Sequence, residues 1–129
     1  MRYLSLAEAL VVAEAVTGID SEILARSAGV GLLDSALHAP QAGFGDQDFY
    51  PYFIDKAAVL AVRLTRNHPL PDGNKRLAWG CLTLFCALND YDLHVPVDAA
   101  VGQMLAVAAG EVDEAEMATW LTRWIDQPG

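Results

Sequence analysis

The chain has 129 residues, which is the usual length of one domain, and 53% of them are hydrophobic, so it is not a disordered protein. Eight Lys and Arg residues stand against 17 Asp and Glu residues, and the formal net charge of −9 argues against direct contact with nucleic acid. No charged leader with a following apolar stretch opens the sequence and no apolar run is long enough to cross a membrane, so we expect a cytoplasmic protein without membrane contact.

The N-terminal half carries three helix signals followed by an irregular segment. Ser5 and Glu8 have the spacing of a capping box, and Gly18 is a stop signal for the helix that they open. The third helix is closed by Pro40. The predicted elements are a helix up to residue 17, a weaker helix over residues 21–28, a helix over residues 31–38 and a loop over residues 41–50.

The C-terminal half predicts larger helices. Pro51 suits the first turn of a helix whose apolar residues, from Phe53 to Leu64, repeat at helical spacing. Asn74–Leu88 is apolar on all sides, so we predict it to be the central, buried helix. The remaining elements are an extended link over residues 91–95, a helix over residues 97–108, and a last helix opened by a capping box at residues 113–116, with Met117, Trp120, Leu121, Trp124 and Ile125 facing the core.

These elements predict an all-α fold. Because no strand pattern of useful length occurs, we expect a compact bundle of six or seven helices around a central buried helix, formed by a single domain over residues 1–129. Cys81 and Cys86 are five residues apart in a predicted helix and therefore point in different directions. They are predicted to be two buried thiols and not a disulfide.

Residues 68–76 bring together the groups that a phosphoryl transfer needs. The first amides of a helix bind anions, a glycine lets a phosphate approach closely, and a guanidinium can bind phosphate oxygens in pairs. A neutral imidazole can take the proton of an attacking hydroxyl, and one carboxylate suits Mg²⁺. The candidate residues are His68 as general base, Asp72 as Mg²⁺ ligand, and Gly73, Asn74, Lys75 and Arg76 as the phosphate-binding group.

The same segment has a purely structural interpretation. A Pro-x-Pro-Asp-Gly turn followed by Asn, Lys and Arg is also an ordinary entry into a helix. Leu70, between the two prolines, can anchor the link in the core under either interpretation. The residues alone leave both readings open.

The segment also resembles the signature of a known family. Residues 68–76 read His-Pro-Leu-Pro-Asp-Gly-Asn-Lys-Arg, which is similar to the Fic/Doc signature His-x-Phe-x-Asp/Glu-Gly/Ala-Asn-Gly/Lys-Arg, with Leu70 in place of Phe. Lys75 stands where typical Fic adenylyltransferases have Gly, and Trp79 stands where they have a second Arg. Both departures are typical of the Doc (death-on-curing) branch. The likeness covers essentially the whole chain, with further similar segments at residues 31–37, 40–41, 56–58 and 109–111.

The resemblance implies a toxin of a toxin-antitoxin system that transfers the γ-phosphate of ATP, with Mg²⁺, to a Thr of elongation factor Tu. It implies His68 as the base, Asp72 as the Mg²⁺ ligand and residues 73–76 as the phosphate cradle. Self-silencing Fic proteins carry a Ser/Thr-x-x-x-Glu-Gly/Asn helix that this sequence lacks, so a Phd-like antitoxin is the implied partner. The alternatives are a protein adenylyltransferase and a catalytically weak antitoxin-binding module.

One further residue and one segment are candidates for a functional role. Arg66 matches a basic position of the Doc branch and is a candidate for contact with the nucleotide or the target; a solvated helix end is the alternative. Asp46 and Asp48 suit a solvated loop; in the resembling family, however, this region borders the place where the target segment lies, so residues 44–50 are also a candidate for target docking.

Overall fold

The computed structural model describes residues 1–126 and confirms the helical fold class. Seven α-helices and one 3-10 turn, over Ala39–Gln41, form within these residues. The helices are α1 (Leu6–Thr17), α2 (Ser21–Ala25), α3 (Val30–His38), α4 (Phe53–Asn67), α5 (Asn74–Leu88), α6 (Val97–Ala108) and α7 (Glu114–Leu121). The strands are β1 (Gly43–Phe44), β2 (Gln47–Asp48), β3 (Asp92–Leu93) and β4 (Ile125–Asp126).

The central position in the bundle belongs to α4 and not, as predicted, to α5. Helix α4 packs against α3, α5, α6, α7 and the 3-10 turn, and ten of its 15 residues are buried, compared with seven of 15 in α5. Its two buried polar side chains are both satisfied. Lys56 Nζ donates to the Pro40 carbonyl at 3.1 Å, and Thr65 Oγ1 donates to the Ala61 carbonyl at 2.8 Å. One face of α5, by contrast, remains half-buried beside a surface groove.

Two helices are shorter than predicted. Helix α2 ends at Ala25 instead of residue 28, because Ser27 Oγ donates to the Leu24 carbonyl at 2.7 Å and competes with a further helical turn. Helix α7 ends at Leu121, so Trp124 and Ile125 lie outside the helix that was predicted to contain them. Ile125 instead belongs to β4, which pairs antiparallel with β3, and the predicted extended link at residues 91–95 is thereby confirmed.

The predicted loop at residues 41–50 contains a β-hairpin. Strands β1 and β2 pair antiparallel, with Phe44 opposite Gln47, and Gly45 begins the turn with a φ of 62°. The Phe49 amide donates to the Ala42 carbonyl at 2.9 Å and closes the base of the hairpin. Strands of two residues are too short to show an alternating pattern, which is why no strand was predicted here.

Apolar packing dominates the interior of the bundle. Its largest fully buried side chains include Phe85 of α5, Leu60 and Leu64 of α4, and Leu121 of α7. The aromatic rings of Phe53 and Phe85 stack with their centroids 4.9 Å apart. Among the helices formed by residues 1–126, none combines the length and the hydropathy that crossing a bilayer would require.

The two cysteines are buried, free thiols, as predicted. Burial raises the pKa of Cys81 and of Cys86 to about 12 in each case, so both stay protonated at neutral and mildly alkaline pH. We expect no reaction of the folded protein with an aromatic disulfide reagent at about pH 8, and two reacting thiols per chain after unfolding in urea. A thiol that reacts in the folded protein, or a missing one after unfolding, would contradict this arrangement.

Candidate functional site

Residues 68–73 link α4 to α5 and turn sharply at both ends. His68 follows the last residue of α4 in the left-handed conformation, with φ 56° and ψ 53°. Gly73, with φ 86°, is the N-cap of α5. A left-handed non-glycine residue is uncommon, and such residues are found at functional sites when the surrounding structure holds them in place. Within the link, Leu70 is bonded by the side chain of Asn74.

The side chain of Asn74 holds Leu70 in the core. The Leu70 amide donates to Asn74 Oδ1 at 2.8 Å, and Asn74 Nδ2 donates to the Leu70 carbonyl at 2.9 Å. Asn74 and Leu70 are both buried, which confirms Leu70 as the anchor of the link. Because the two bonds occupy the Asn74 side chain, the group that Asn74 can offer to a phosphate is its backbone N–H.

The N-terminus of α5 presents a set of unpaired amides. The first amide with an acceptor is that of Leu77, which donates to the Gly73 carbonyl at 2.9 Å, and Gly73 has no side chain to cap the helix. The amides of Asn74, Lys75 and Arg76 find no acceptor among residues 1–126. Three unpaired N–H groups at the positive end of a 15-residue helix are able to accept an anion.

A cavity of about 70 Å³ opens at these amides. It has room for a group the size of a phosphate and not for a whole nucleotide. The predicted site residues that line it are His68, Asp72, Gly73, Asn74 and Lys75. Pro71, Thr65 and Ala108 complete the wall. No local sequence pattern points to Thr65 and Ala108, because only the packing of α4 and α6 around the link brings them there.

The two predicted arginines lie outside this cavity. The guanidinium of Arg76 lies against Gly73 and lines a neighbouring groove. Arg66 Nη2 donates to the Val112 carbonyl at 2.8 Å and so ties α4 to the segment between α6 and α7. The structure therefore does not bring Arg66 to the cavity, and its observed contact is a structural one.

The groove beside the cavity runs between α5 and α6 and has a volume of about 380 Å³. Its wall is mostly apolar, with Trp79 from α5 and Met104 and Leu105 from α6, and Lys75 and Arg76 stand at one end. Lys75 lines both spaces, and α6 continues from the groove to the cavity. Groove and cavity together can accept an elongated ligand with an apolar part and an anionic part.

The charges at this site are unpaired. Neither Lys75 nor Arg76 lies within ion-pair distance of a carboxylate among residues 1–126, although the chain has a net charge of −9. The described residues contain no group of three His, Cys, Asp or Glu side chains that could hold a metal ion by themselves. A cation at this site would therefore have Asp72 as its protein ligand and would take its other ligands from water or a bound phosphate.

Gly29 packs closely against Pro69 of the link, and nothing in the sequence predicted this contact. It is the N-cap of α3, with an ordinary φ of −79°, and a Cβ at this position would overlap the Pro69 carbonyl oxygen. We expect Gly29→Ala to lower the free energy of unfolding by about 1–3 kcal/mol, since Pro69 and the adjoining His68 must shift. Urea denaturation measures this change.

Gly31 provides the matched control, because a Cβ there meets no atom within 4 Å. Gly31 lies inside α3, and Gly31→Ala should leave the stability unchanged or raise it by about 0.5–1 kcal/mol. Equal unfolding midpoints for the two variants would show that the contact between Gly29 and Pro69 does not constrain the link.

Comparison with known proteins places the chain in a family. The model of the Fic/DOC family matches residues 3–86. The toxin Doc of Mycolicibacterium smegmatis is 45% identical to this chain over 85 residues, which are 64% of this chain and 65% of that toxin. The match thus spans a little under two thirds of the curated relative. Because the family model covers well over half of the sequence and includes the whole link between α4 and α5, the chain belongs to the Fic/DOC family.

Proposed function

We propose that this protein is a Doc-like toxin of a toxin-antitoxin system and acts as a protein kinase. It transfers the γ-phosphate of ATP to a Thr hydroxyl of a translation factor, with elongation factor Tu as the first candidate, and thereby arrests translation. The observation that carries the proposal is the set of three unpaired amides at the start of α5, beside a cavity that His68, Asp72 and Lys75 line together.

The site supports phosphate binding through backbone and side-chain groups together. The amides of α5 point positive charge at the cavity, and Lys75 adds a full charge at its edge. The cavity accommodates one phosphoryl group, while the adjoining groove offers an apolar wall for the remainder of the nucleotide. Catalysis of phosphoryl transfer depends mainly on positioning and charge stabilisation, and these groups supply both.

His68 is the residue to accept the proton of the attacking hydroxyl. No side chain or backbone group among residues 1–126 forms a hydrogen bond with its imidazole, which is exposed at the cavity. In the proposed reaction a bond forms between the Thr oxygen and the γ-phosphorus, and the bond from that phosphorus to the bridging oxygen breaks. ADP leaves with the electron pair, and the Thr proton passes to His68.

Asp72 is the proposed Mg²⁺ ligand. Its exposed carboxylate lines the same cavity as the α5 amides, and a single protein carboxylate fits an ion that takes its other ligands from water and nucleotide phosphates. When bound, Mg²⁺ neutralises part of the phosphate charge. Asp72 would orient it beside the helix terminus.

The hairpin at residues 43–48 and the segment after it are the proposed docking region for the target. Phe44 is 84% exposed and Phe49 is 61% exposed, which is unusual for two aromatic side chains so close in sequence. Among residues 1–126 the strands of the hairpin pair only with each other, so their outer edges can receive an extended segment.

A separate antitoxin is the proposed partner in the cell. The sequence contains no Ser/Thr-x-x-x-Glu-Gly/Asn helix, so restraint of the toxin would come from a second protein of the Phd type. The related toxin Doc of M. smegmatis supports the toxin assignment through its name and its 45% identity over the matched segment.

The alternative chemistry is transfer of the adenylyl group. Lys75 and Trp79 argue against it, since the second Arg of typical Fic adenylyltransferases is missing and the groove presents an indole at that position.

A labelling experiment distinguishes the two reactions. Purified protein is incubated with elongation factor Tu, Mg²⁺ and ATP labelled at either the α- or the γ-phosphorus. We expect label on the factor only from γ-labelled ATP. If the factor is labelled only by α-labelled ATP, the kinase proposal is wrong and the protein is an adenylyltransferase.

A further inference from the structure

Lys56 is a buried cation that touches three separate segments of the chain. It lies on α4 with 3% of its surface exposed. Its Nζ donates to the Pro40 carbonyl at 3.1 Å, lies 3.6 Å from Asp48 Oδ2, and stands 5.5 Å from the centroid of the Tyr3 ring. Burial of a lysine is unfavourable unless its ammonium group is well partnered, so this position in the core of α4 has a specific use for a cation.

The partners of Lys56 lie on both sides of the hairpin. Pro40 precedes the hairpin, and Asp48 belongs to its second strand, β2. The base of the hairpin is closed by the bond between Phe49 and Ala42. Lys56 therefore attaches both legs of the hairpin to α4, because one ammonium group bonds the entering segment and pairs with the leaving strand.

A second attachment follows the hairpin and also leads to α4. Tyr50 donates from its hydroxyl to Glu114 Oε2 at 3.1 Å, and Arg63 Nε donates to Glu114 Oε1 at 2.8 Å. Burial raises the pKa of Tyr50, and the bond to Glu114 raises it further, so the hydroxyl keeps its proton and stays a donor. The hairpin is thus held at two levels of the same helix.

Helix α4 also carries His68 at its C-terminal end. Lys56 and His68 are about 18 Å apart along the helix axis. A rigid helix that holds the hairpin near one end and the imidazole at the other fixes the distance between them. We infer that Lys56 is a positioning residue, which sets the hairpin relative to His68 so that a docked hydroxyl reaches the cavity. This inference rests on the proposed function of the hairpin in target docking.

The test compares Lys56→Met with the native chain. Methionine matches the length of the side chain but forms neither polar contact. We expect faster hydrogen exchange over residues 42–50 and a KM for elongation factor Tu that is roughly tenfold higher, as for the loss of one hydrogen bond to a charged group. The kcat should also fall, because a docked hydroxyl that is less well held relative to His68 reacts more slowly. The Kd for ATP should stay within about twofold, because the hairpin does not line the phosphate cavity. Lys56→Arg keeps the positive charge, so it should raise the KM for elongation factor Tu less than Lys56→Met does.

Val62→Ala is the control for a merely structural effect, since Val62 is a fully buried residue of α4. It should lower the melting temperature without changing exchange in residues 42–50 or the KM. If Lys56→Met behaves like Val62→Ala, the inference is wrong. Should Lys56→Met fail to fold, Asp48→Asn removes only the exposed partner, and it must shift exchange and KM in the same direction for the inference to stand.

Failure of the proposed function has a different signature. A native chain that transfers no phosphate to elongation factor Tu contradicts the proposed target, whatever Lys56 does. In that case hydrogen exchange alone tests whether Lys56 holds the hairpin on α4. Accelerated exchange over residues 42–50 in Lys56→Met supports the attachment of the hairpin, and unchanged exchange overturns it.

Discussion

Replacement of His68 by Asn is expected to lower the rate of phosphoryl transfer by roughly 10²–10⁴-fold, the usual contribution of a general base. The left-handed conformation of His68 decides the choice of variant. Asn tolerates this conformation better than Ala does, so His68→Asn removes the imidazole without straining the turn. Initial rates with γ-labelled ATP measure the effect, while the Kd for ATP and the melting temperature should remain close to those of the native protein.

His68→Gly is the second variant, because glycine adopts a positive φ without steric cost. If the imidazole matters as a base, both variants lose transfer to the same extent, and expression of either no longer arrests growth. A native rate in both would exclude hydroxyl activation by His68. Growth arrest that persists without transfer would favour the alternative of a module that acts by binding.

The centre of the candidate site could be proposed from the sequence because its parts are contiguous. His68, Asp72 and Gly73 lie in one link, and the helix that follows them has a strong apolar period. The signals that predict the starts of α1 and α7 are also local. The capping boxes at Ser5 and Asp113 form as predicted, since each requires only a side chain and a backbone group three residues away.

Contacts between distant segments were not predictable in the same way. The burial of Lys56 depends on the Pro40 carbonyl, and nothing in the local pattern of α4 reveals that partner. Arg66 was a candidate for contact with the nucleotide or the target because it matches a basic position of the Doc branch. Its guanidinium instead donates to the Val112 carbonyl, 46 residues away in sequence. The central place of α4 follows from such partners, because a helix with charged residues can be buried only where each of them finds one.

Loss of the Asn74 side chain is expected to have a large effect on stability. Asn74→Ala leaves the amide and the carbonyl of Leu70 unpaired in a buried position, at a cost of roughly 1–3 kcal/mol for each group. Asn74→Asp keeps an acceptor for the Leu70 amide but places a carboxylate oxygen against the Leu70 carbonyl, and it adds negative charge beside the phosphate cavity. We expect both variants to unfold at lower urea concentration and to bind ATP more weakly.

Asn89 offers a matched control at the other end of α5. The Arg2 amide donates to Asn89 Oδ1 at 2.7 Å, and Asn89 Nδ2 donates to the Arg2 carbonyl at 2.8 Å, so the pair of bonds is the same as that between Asn74 and Leu70. The Arg2 pair is exposed and lies at the opposite end of α5 from the phosphate cavity, and Asn89 Nδ2 also donates to the Phe85 carbonyl at 2.9 Å. Asn89→Ala should lower stability modestly and leave ATP binding and transfer unchanged. If Asn74→Ala likewise lowered stability alone, the bonds between Asn74 and Leu70 would hold the fold without shaping the site; if ATP binding falls only in the Asn74 variants, the anion site depends on the position of Leu70.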